Sequence, residues 1–443
     1  MQRVRNPFSE RSSAGIAELN SVARAKLHAR AQKRIIVNLS DSNPTHCGLA
    51  PRSLPQRYDA DPRGVRADRE LLAGYLARWD SANDARATSH QCGASIPSFC
   101  TTRSAHSTRL WHSHGEPVDP DRLYLLSSTS QGYAWAMKVL CDPGDAILAP
   151  APGYPLIEQI ATLENVHVHY YPLAPYDSWA IDSDAVESLL KGDQSRRVKA
   201  IVLINPNNPT GSYVHSSEYS RIVRLCQEYG LAIIADEVFY RYCLSDVGLP
   251  DSGNTCAADG AEKIVHLAGA ADVLTFALDG LSKQLAAPGA KVAWMRVSGP
   301  DAHVEEALAR LDMVADVFLP WSQILSASLP QLLQDVPEQI KRVRARCLSN
   351  LQALHKIIQE DPCAASSVLP VEGGWNALLR FPAHIDEDAL VQELLKHNPA
   401  ISVQPGYFFD MPLAGIVSVS LLLEPLVFDQ GIRHLLAAIN AQI

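Results

Sequence analysis

The chain has no run of apolar residues long enough to cross a bilayer; its best runs, such as Ala200 to Ile204, are strand-sized. It also lacks a basic excess. With 39 Lys+Arg against 48 Asp+Glu, the formal net charge is -9, which argues against non-specific binding to nucleic acid or to an anionic membrane. There is no CxxC pair. The nine cysteines are odd in number and scattered along a long chain, the pattern of reduced thiols rather than of a disulfide framework. Arg3, Arg5 and Arg11 make the N-terminus basic, but no apolar segment of the kind a secretory signal needs follows them. Glu10 and Glu18 interrupt the basic character that a transit peptide would keep. The expected location is the cytoplasm.

What is present describes an ordinary globular protein: 443 residues, 47% hydrophobic and 20% charged, enough for two domains. Apolar residues at helical spacing (Ile16, Leu19, Val22, Leu27) predict a helix over 14–33, followed by a short strand at 35–39 and a turn at Ser42-Asn43-Pro44. A second helix is expected over 67–79. Residues 81–113, rich in Ser, Thr, Ala and His and without a period, read as a long surface insertion. From Leu123 to Val297 strand-sized apolar runs alternate with amphipathic helical stretches, at 145–149, 166–170, 200–204, 232–235, 273–277 and 292–297. That alternation predicts an α/β fold with a mostly parallel sheet covered on both faces. After Pro300 a helical region reaches about Gln359, and a mixed segment ends the chain. The expected division is an N-terminal arm with part of a small domain (1–47), a large domain (48–300, carrying the insertion), and a smaller α+β domain (301–443).

Three runs carry chemistry. Asn205-Pro206-Asn207-Asn208-Pro209-Thr210-Gly211 holds an amide in a turn fixed by two prolines, with a glycine to close it. Ile233-Ile234-Ala235-Asp236-Glu237 ends a strand on a carboxylate, where parallel-sheet proteins place ligands. Leu278-Asp279-Gly280-Leu281-Ser282-Lys283 brings an amine just after a strand. An amine, an amide and a carboxylate in this order suit pyridoxal 5'-phosphate (PLP), which needs a covalent anchor and a partner for its ring nitrogen. Each residue has a plainer reading: a surface lysine, a helix cap, a turn. Ser128, Thr129 and Ser130, just before a helical stretch, either cap it or bind an anion there. Tyr154, in Pro152-Gly153-Tyr154-Pro155, is core or ligand-stacking.

Taken together, these motifs resemble the fold-type I PLP-dependent enzymes, and within them the class I/II aminotransferase family, over nearly the whole chain from Ile35 onward. The resemblance implies the aspartate aminotransferase-like PLP-transferase fold: a large domain with a mostly parallel sheet, and a smaller α+β domain. It implies that Lys283 forms the Schiff base and moves the proton, Asp236 pairs with the pyridine nitrogen, Asn208 donates to the phenolic oxygen and Tyr154 stacks on the ring. Ser128, Thr129, Ser130, Ser282 and Lys291 then bind phosphate, and Tyr58 reaches across a homodimer interface to the partner's site. Asn43, Trp375, Arg380 and Tyr407 become substrate contacts, and Glu237 is structural.

Four positions depart from the family pattern. Lys291 stands where an arginine is usual, which costs the bidentate fork. Gly280 replaces a serine, and Phe239 a tyrosine; the adjacent Tyr240 would point away if the strand continued. Ser418, in Val417-Ser418-Val419-Ser420, occupies the place of the arginine that clamps the substrate carboxylate. The expected activity is therefore transamination between an amino acid and a 2-oxo acid, with a lyase, decarboxylase or oxidative deaminase acting on a specialised amino acid as the alternative. A transcriptional regulator of similar fold needs a DNA-binding module, and the residues before Ile35 are too few for one. His90, Cys92, Cys100, His106, His112 and His114 match no zinc spacing, so no metal is expected.

Overall fold

A computed structural model describes residues 7–13, 21–34, 58, 60–88, 117–193, 197–244, 263–396 and 398–443. Helices α1 (Ser21–Ala31) and α2 (Arg66–Thr88) open it. Strand β1 (Leu123–Leu126), α3 (Thr129–Leu140), β2 (Ala146–Ala151), α4 (Leu156–Leu163), β3 (His167–Ala174), β4 (Ala180–Ile181) and α5 (Ser183–Gly192) follow. Next come β5 (Val198–Ile204), α6 (Ser216–Tyr229), β6 (Ala232–Asp236), β7 (Thr275–Gly280), the single turn α7 (Leu281–Gln284) and β8 (Ala293–Ser298). The rest is α8 (Asp301–Phe318), α9 (Gln323–Glu360), β9 (Ser367–Val368), β10 (Asn376–Arg380), α10 (Glu387–Lys396), β11 (Gln404–Pro405), β12 (Ile416–Ser420) and α11 (Pro425–Asn440).

An eight-stranded sheet has the order β1-β8-β7-β6-β5-β2-β3-β4. Its middle, from β7 through β6, β5 and β2 to β3, is parallel. The central strands are apolar at successive positions because both faces are buried. In β5, Ala200, Val202 and Ile204 pack with α3 and α8, while Ile201 and Leu203 pack with α5 and α6. β6 divides likewise, with Ile234 on one face and Ile233 on the other. A four-stranded sheet, β11-β12-β10-β9, lies with α9, α10 and α11 over a further core.

Parallel register decides where the chemistry falls. Ile204, Asp236 and Leu278 are aligned across β5, β6 and β7. The loops that leave these strands therefore emerge at one edge, carrying Asn208, Asp236 and Lys283. β1 and β7 are both antiparallel to β8 and so run the same way, which brings the N-terminus of α3 to that edge too. The end of β2 delivers Tyr154 there. Ligands bind at the carboxyl ends of strands in such sheets for this reason.

Two expectations change. The helix expected to end near Trp79 continues to Thr88, so the first residues of the predicted insertion extend α2. The rest of that insertion, including His90, Cys92, Cys100, His106, His112 and His114, lies outside the described residues, as do Asn43 and the strand expected at 35–39. Among the described residues no cluster of three or more His, Cys, Asp or Glu is placed to hold a metal. No described helix is long and apolar enough to cross a membrane.

Candidate active site

A cavity opens at the carboxyl edge of the large sheet. Asp236, Lys283, Asn208, Tyr154, Thr129, Ser282 and Phe239 all contribute to its wall. Residues up to 154 positions apart in sequence order thus meet because parallel register leaves them no other edge.

Asp236 is 5% exposed. Its Oδ2 accepts from the Tyr133 hydroxyl at 2.9 Å and its Oδ1 from the Val238 N–H at 3.2 Å. Burial outweighs these donors and pushes the carboxyl up to about 6. Burial likewise lowers the Lys283 amine from its ordinary value, against the pull of Asp236. Lys283 Nζ stands 5.3 Å from the Phe239 ring centroid and 5.2 Å from that of Trp375, two rings that meet edge to face. Both shifts have burial as their first cause, since it penalises the charged form of each group.

Glu237 faces elsewhere. It accepts from Asn205 Nδ2, Leu267 N and Ala268 N, each at 2.9 Å, and meets His266 at 3.2 Å, which fixes the loop after β6. Asn208 Oδ1 accepts from Asn376 Nδ2 at 3.1 Å, so β10 of the smaller sheet reaches the cavity wall through Asn376. Gly211, at φ +73°, closes the turn behind Asn208. Its carbonyl accepts from Gly373 N at 2.9 Å and Glu372 N at 3.2 Å, tying the two sheets together beside the site.

The α3 terminus is split between roles. Ser128 is the N-cap, its hydroxyl accepting from Gln131 N at 3.2 Å. Thr129 lines the cavity, where the first N–H groups of a helix lack intrahelical acceptors. Ser128 and Ser130 are not in the wall. Gly280 has a steric reason: a Cβ there would lie 2.8 Å from the Val292 carbonyl oxygen, so the family's serine has no room. Tyr240 does turn away from Lys283, for a different reason from the one expected. β6 ends at Asp236, and the following turn stacks Tyr240 on His266 at 4.5 Å.

The other expected contacts are not among the residues that line the cavity within one chain. Lys291 is exposed, with a left-handed φ of +53°, and Tyr58 is also exposed. Arg380 is exposed at the far end of β10, four strand positions beyond Asn376, a distance of roughly 13 Å. Tyr407 packs against Phe408, and its hydroxyl donates to Asp388 at 3.1 Å on the rim of a separate groove. Its neighbourhood does approach the site, since Gly153 N donates to the Phe409 carbonyl at 3.1 Å. Sequence reasoning missed Tyr133, Asn376 and Tyr242, whose hydroxyl donates to the Lys283 carbonyl at 2.7 Å. None of them sits in a local motif.

This sheet order, with its lysine and aspartate at the carboxyl edge, is the PLP-transferase fold. Residues 88–423 match the family described as Aminotransferase class I and II, and the chain belongs to that family. It is 25% identical over 395 residues to nicotianamine aminotransferase B of Hordeum vulgare, covering 87% of this chain and 67% of the relative. It is 25% identical over 256 residues to S-alkyl-thiohydroximate lyase SUR1 of Arabidopsis thaliana, covering 57% and 52%. Among solved structures, tyrosine aminotransferase from Leishmania infantum superimposes with a TM-score of 0.67 at 18% identity, covering 86% and 82%. The matches span 52% to 67% of the length of the first curated relatives.

Proposed function

We propose that the chain is a PLP-dependent aminotransferase acting on an amino acid and a 2-oxo acid. One observation carries this reading: the Lys283 amine and the buried Asp236 carboxylate line the same cavity, together with Asn208 and Tyr154. The donor set fits the cofactor. Asp236 offers a buried acceptor to a protonated ring nitrogen, Asn208 an amide to a phenolic oxygen, and Tyr154 a ring face. Thr129 and Ser282, beside the N-terminus of α3, offer hydroxyl and N–H donors to a phosphate. When bound, PLP supplies an aldehyde that captures amines and a conjugated ring that takes up electrons released at the substrate Cα.

The chain's own residues do the rest. Lys283 anchors the cofactor and, once displaced by the substrate amine, takes the Cα proton on Nζ. Its lowered pKa enlarges the neutral fraction that such a base needs. Asp236, held by Tyr133, keeps negative charge opposite the ring nitrogen, and Phe239 and Trp375 shield the amine from water. A homodimer in which Tyr58 serves the partner's site, and a cytoplasmic location, belong to the same proposal.

A second reading, a lyase on a specialised amino acid, is favoured by one feature. Among the described residues that line the cavity there is no arginine, and Ser418 is buried in β12 where the family clamp would stand. Mixing purified holoenzyme with single amino acids and following cofactor absorbance separates the two. Conversion to the pyridoxamine form with release of an oxo acid supports transamination. Return of the pyridoxal form with release of CO2, ammonia or a thiol sinks it.

A further inference from the structure

Lys283 is held from behind as well as presented to the cavity. It sits in α7, a single helical turn whose two flanks are joined by side chains. Asp279 Oδ1 accepts from Gly280 N at 2.6 Å, and its Oδ2 accepts from Gln284 Nε2 at 2.5 Å. Gln284 is 1% exposed, and its Oε1 accepts from the Tyr75 hydroxyl of α2 at 2.7 Å. The Tyr242 hydroxyl reaches the Lys283 carbonyl at 2.7 Å and that of Gln284 at 3.3 Å. The backbone of Lys283 is therefore bracketed on both sides, and its side chain alone projects into the site.

We infer that Asp279, Gln284 and Tyr75 form a proton-switched relay that positions Lys283, with Asp279 as the positioning residue. This rests on the proposed role of Lys283 as the reactive amine. As a carboxylate, Asp279 suits two N–H donors. Once protonated, it carries a hydroxyl that has no acceptor among them. The Gly280 N–H is fixed in the backbone, but the Gln284 amide can turn over, so that Oε1 accepts the Asp279 proton and Nε2 faces Tyr75. The Tyr75 hydroxyl proton then loses its acceptor. The two states of the relay therefore tie the α7 turn with different firmness, and the ionised one is the tighter.

The charges around Asp279 place the change in a useful range. Arg241 is the facing cation; its guanidinium stacks 4.2 Å from the Trp79 ring and 5.5 Å from that of Tyr75. Asp236 and Glu237, at the end of β6, are like charges. Part of the Asp279 surface still reaches water, but the surrounding protein withholds solvation. Burial pushes the carboxyl up to about 7, against Arg241 and the Gly280 N–H and with help from Glu237 and Asp236.

The test is the pH dependence of kcat and KM for holoenzyme, with the absorbance of bound cofactor followed over the same range without turnover. Wild type should show an acid limb in kcat near about 7. Asp279→Asn should lose that limb and about tenfold to a hundredfold in kcat, the cost of a slightly misplaced reactive group, while KM stays within about twofold. Tyr75→Phe, unable to donate, should keep the limb and move it to higher pH. An Asp279→Asn enzyme with the wild-type limb, or a Tyr75→Phe enzyme with an unmoved one, overturns the relay. If Asp279→Asn does not fold, Gln284→Met breaks the same chain at constant bulk, and an unchanged kcat there also overturns it. Lys283→Ala keeps the two ideas apart: retained turnover in that variant defeats the functional reading, whereas failure of the relay leaves it inactive.

Discussion

Tyr133 donates a 2.9 Å hydrogen bond to Asp236, with both side chains buried and no other side-chain hydroxyl bonded to that carboxylate among the described residues. α3 thus supplies more than an anion site at its N-terminus. Its second turn also stabilises the negative charge at the end of β6.

Tyr133→Phe should therefore weaken cofactor binding most on the acid side. Hydrogen bonds to charged groups are worth about 1.5–3 kcal/mol, so the Asp236 titration should climb by about one to two pH units. The sign follows from burial. With its folded pKa raised from 3.8 to about 6, Asp236 favours the cofactor-free fold when neutral, and that contribution is lost as pH rises through about 6. Cofactor binding runs the other way, because it needs the carboxylate. Affinity measured against pH should fall off at a higher pH in Tyr133→Phe than in wild type. An unmoved limb excludes this role for Tyr133.

Gly211 is the next test. Its φ of +73° is one that L side chains rarely adopt, and an added Cβ would lie 2.5 Å from the Gly373 carbonyl oxygen and from Val371 Cγ2. Gly211→Ala should cost about 2–4 kcal/mol, combining left-handed strain of about 1–2 kcal/mol with displacement of the strap between the two sheets. Because the same turn carries Asn208, cofactor affinity should fall with stability. A neutral denaturation midpoint would refute the steric argument.

These predictions draw on two kinds of residue, and only one kind was legible in the sequence. Lys283, Asp236 and Asn208 each end or follow an apolar strand within a short motif, so local pattern plus parallel topology brings them together. Gly211 was readable as a turn glycine for the same reason. Tyr133, Asn376 and Tyr242 act through contacts made across the fold, and nothing in their immediate neighbours marks them; Gln284 follows Lys283 directly, but its bond to Tyr75 of α2 is not visible in that motif. Arg380, exposed at the end of β10, and Tyr407, bonded to Asp388, are not among the residues that line the cavity, and their motifs carry no signal of that placement. The alternation of strands and helices pointed to the large sheet; a smaller α+β region was expected after it, but strands of two residues, as at β9 and β11, are too short to show a period.

His215 ties the strap from the other side. Its Nδ1 meets Glu218 at 3.3 Å and its Nε2 meets Glu372 at 3.2 Å. Hydrogen bonds to Glu218 and Glu372 raise its pKa from 6.5 to about 10. A pKa raised on folding contributes stability that is complete below about 6.5 and lost as pH rises through about 10. His215→Ala should be destabilised by about 2 kcal/mol at neutral pH, the worth of charge-assisted bonds in a partly exposed site. The gap between variant and wild-type denaturation midpoints should close above about pH 10. A gap independent of pH would show that packing, not charge, is what His215 provides.

Trp375 decides how dry the reactive amine is. Two opposing effects meet at Lys283 Nζ. The ring 5.2 Å away attracts an ammonium, by about 0.5–2 kcal/mol for such contacts, and the same ring excludes the water that would solvate it. Burial lowers the Lys283 pKa against the charge of Asp236, and Trp375 is part of the wall that buries the amine, so shielding is taken as the larger effect of the ring. Trp375→Ala should therefore raise the Lys283 pKa toward its ordinary value, even though it removes an attraction. Trp375→Phe, which keeps an aromatic wall, should leave it low. Competitive acylation of cofactor-free protein across a pH series, with Lys283 quantified by peptide mass spectrometry, reads the amine directly. A midpoint that falls in Trp375→Ala would mean that the ring's attraction outweighs its shielding. The basis for Lys283 as a neutral base in a dry pocket would then be gone.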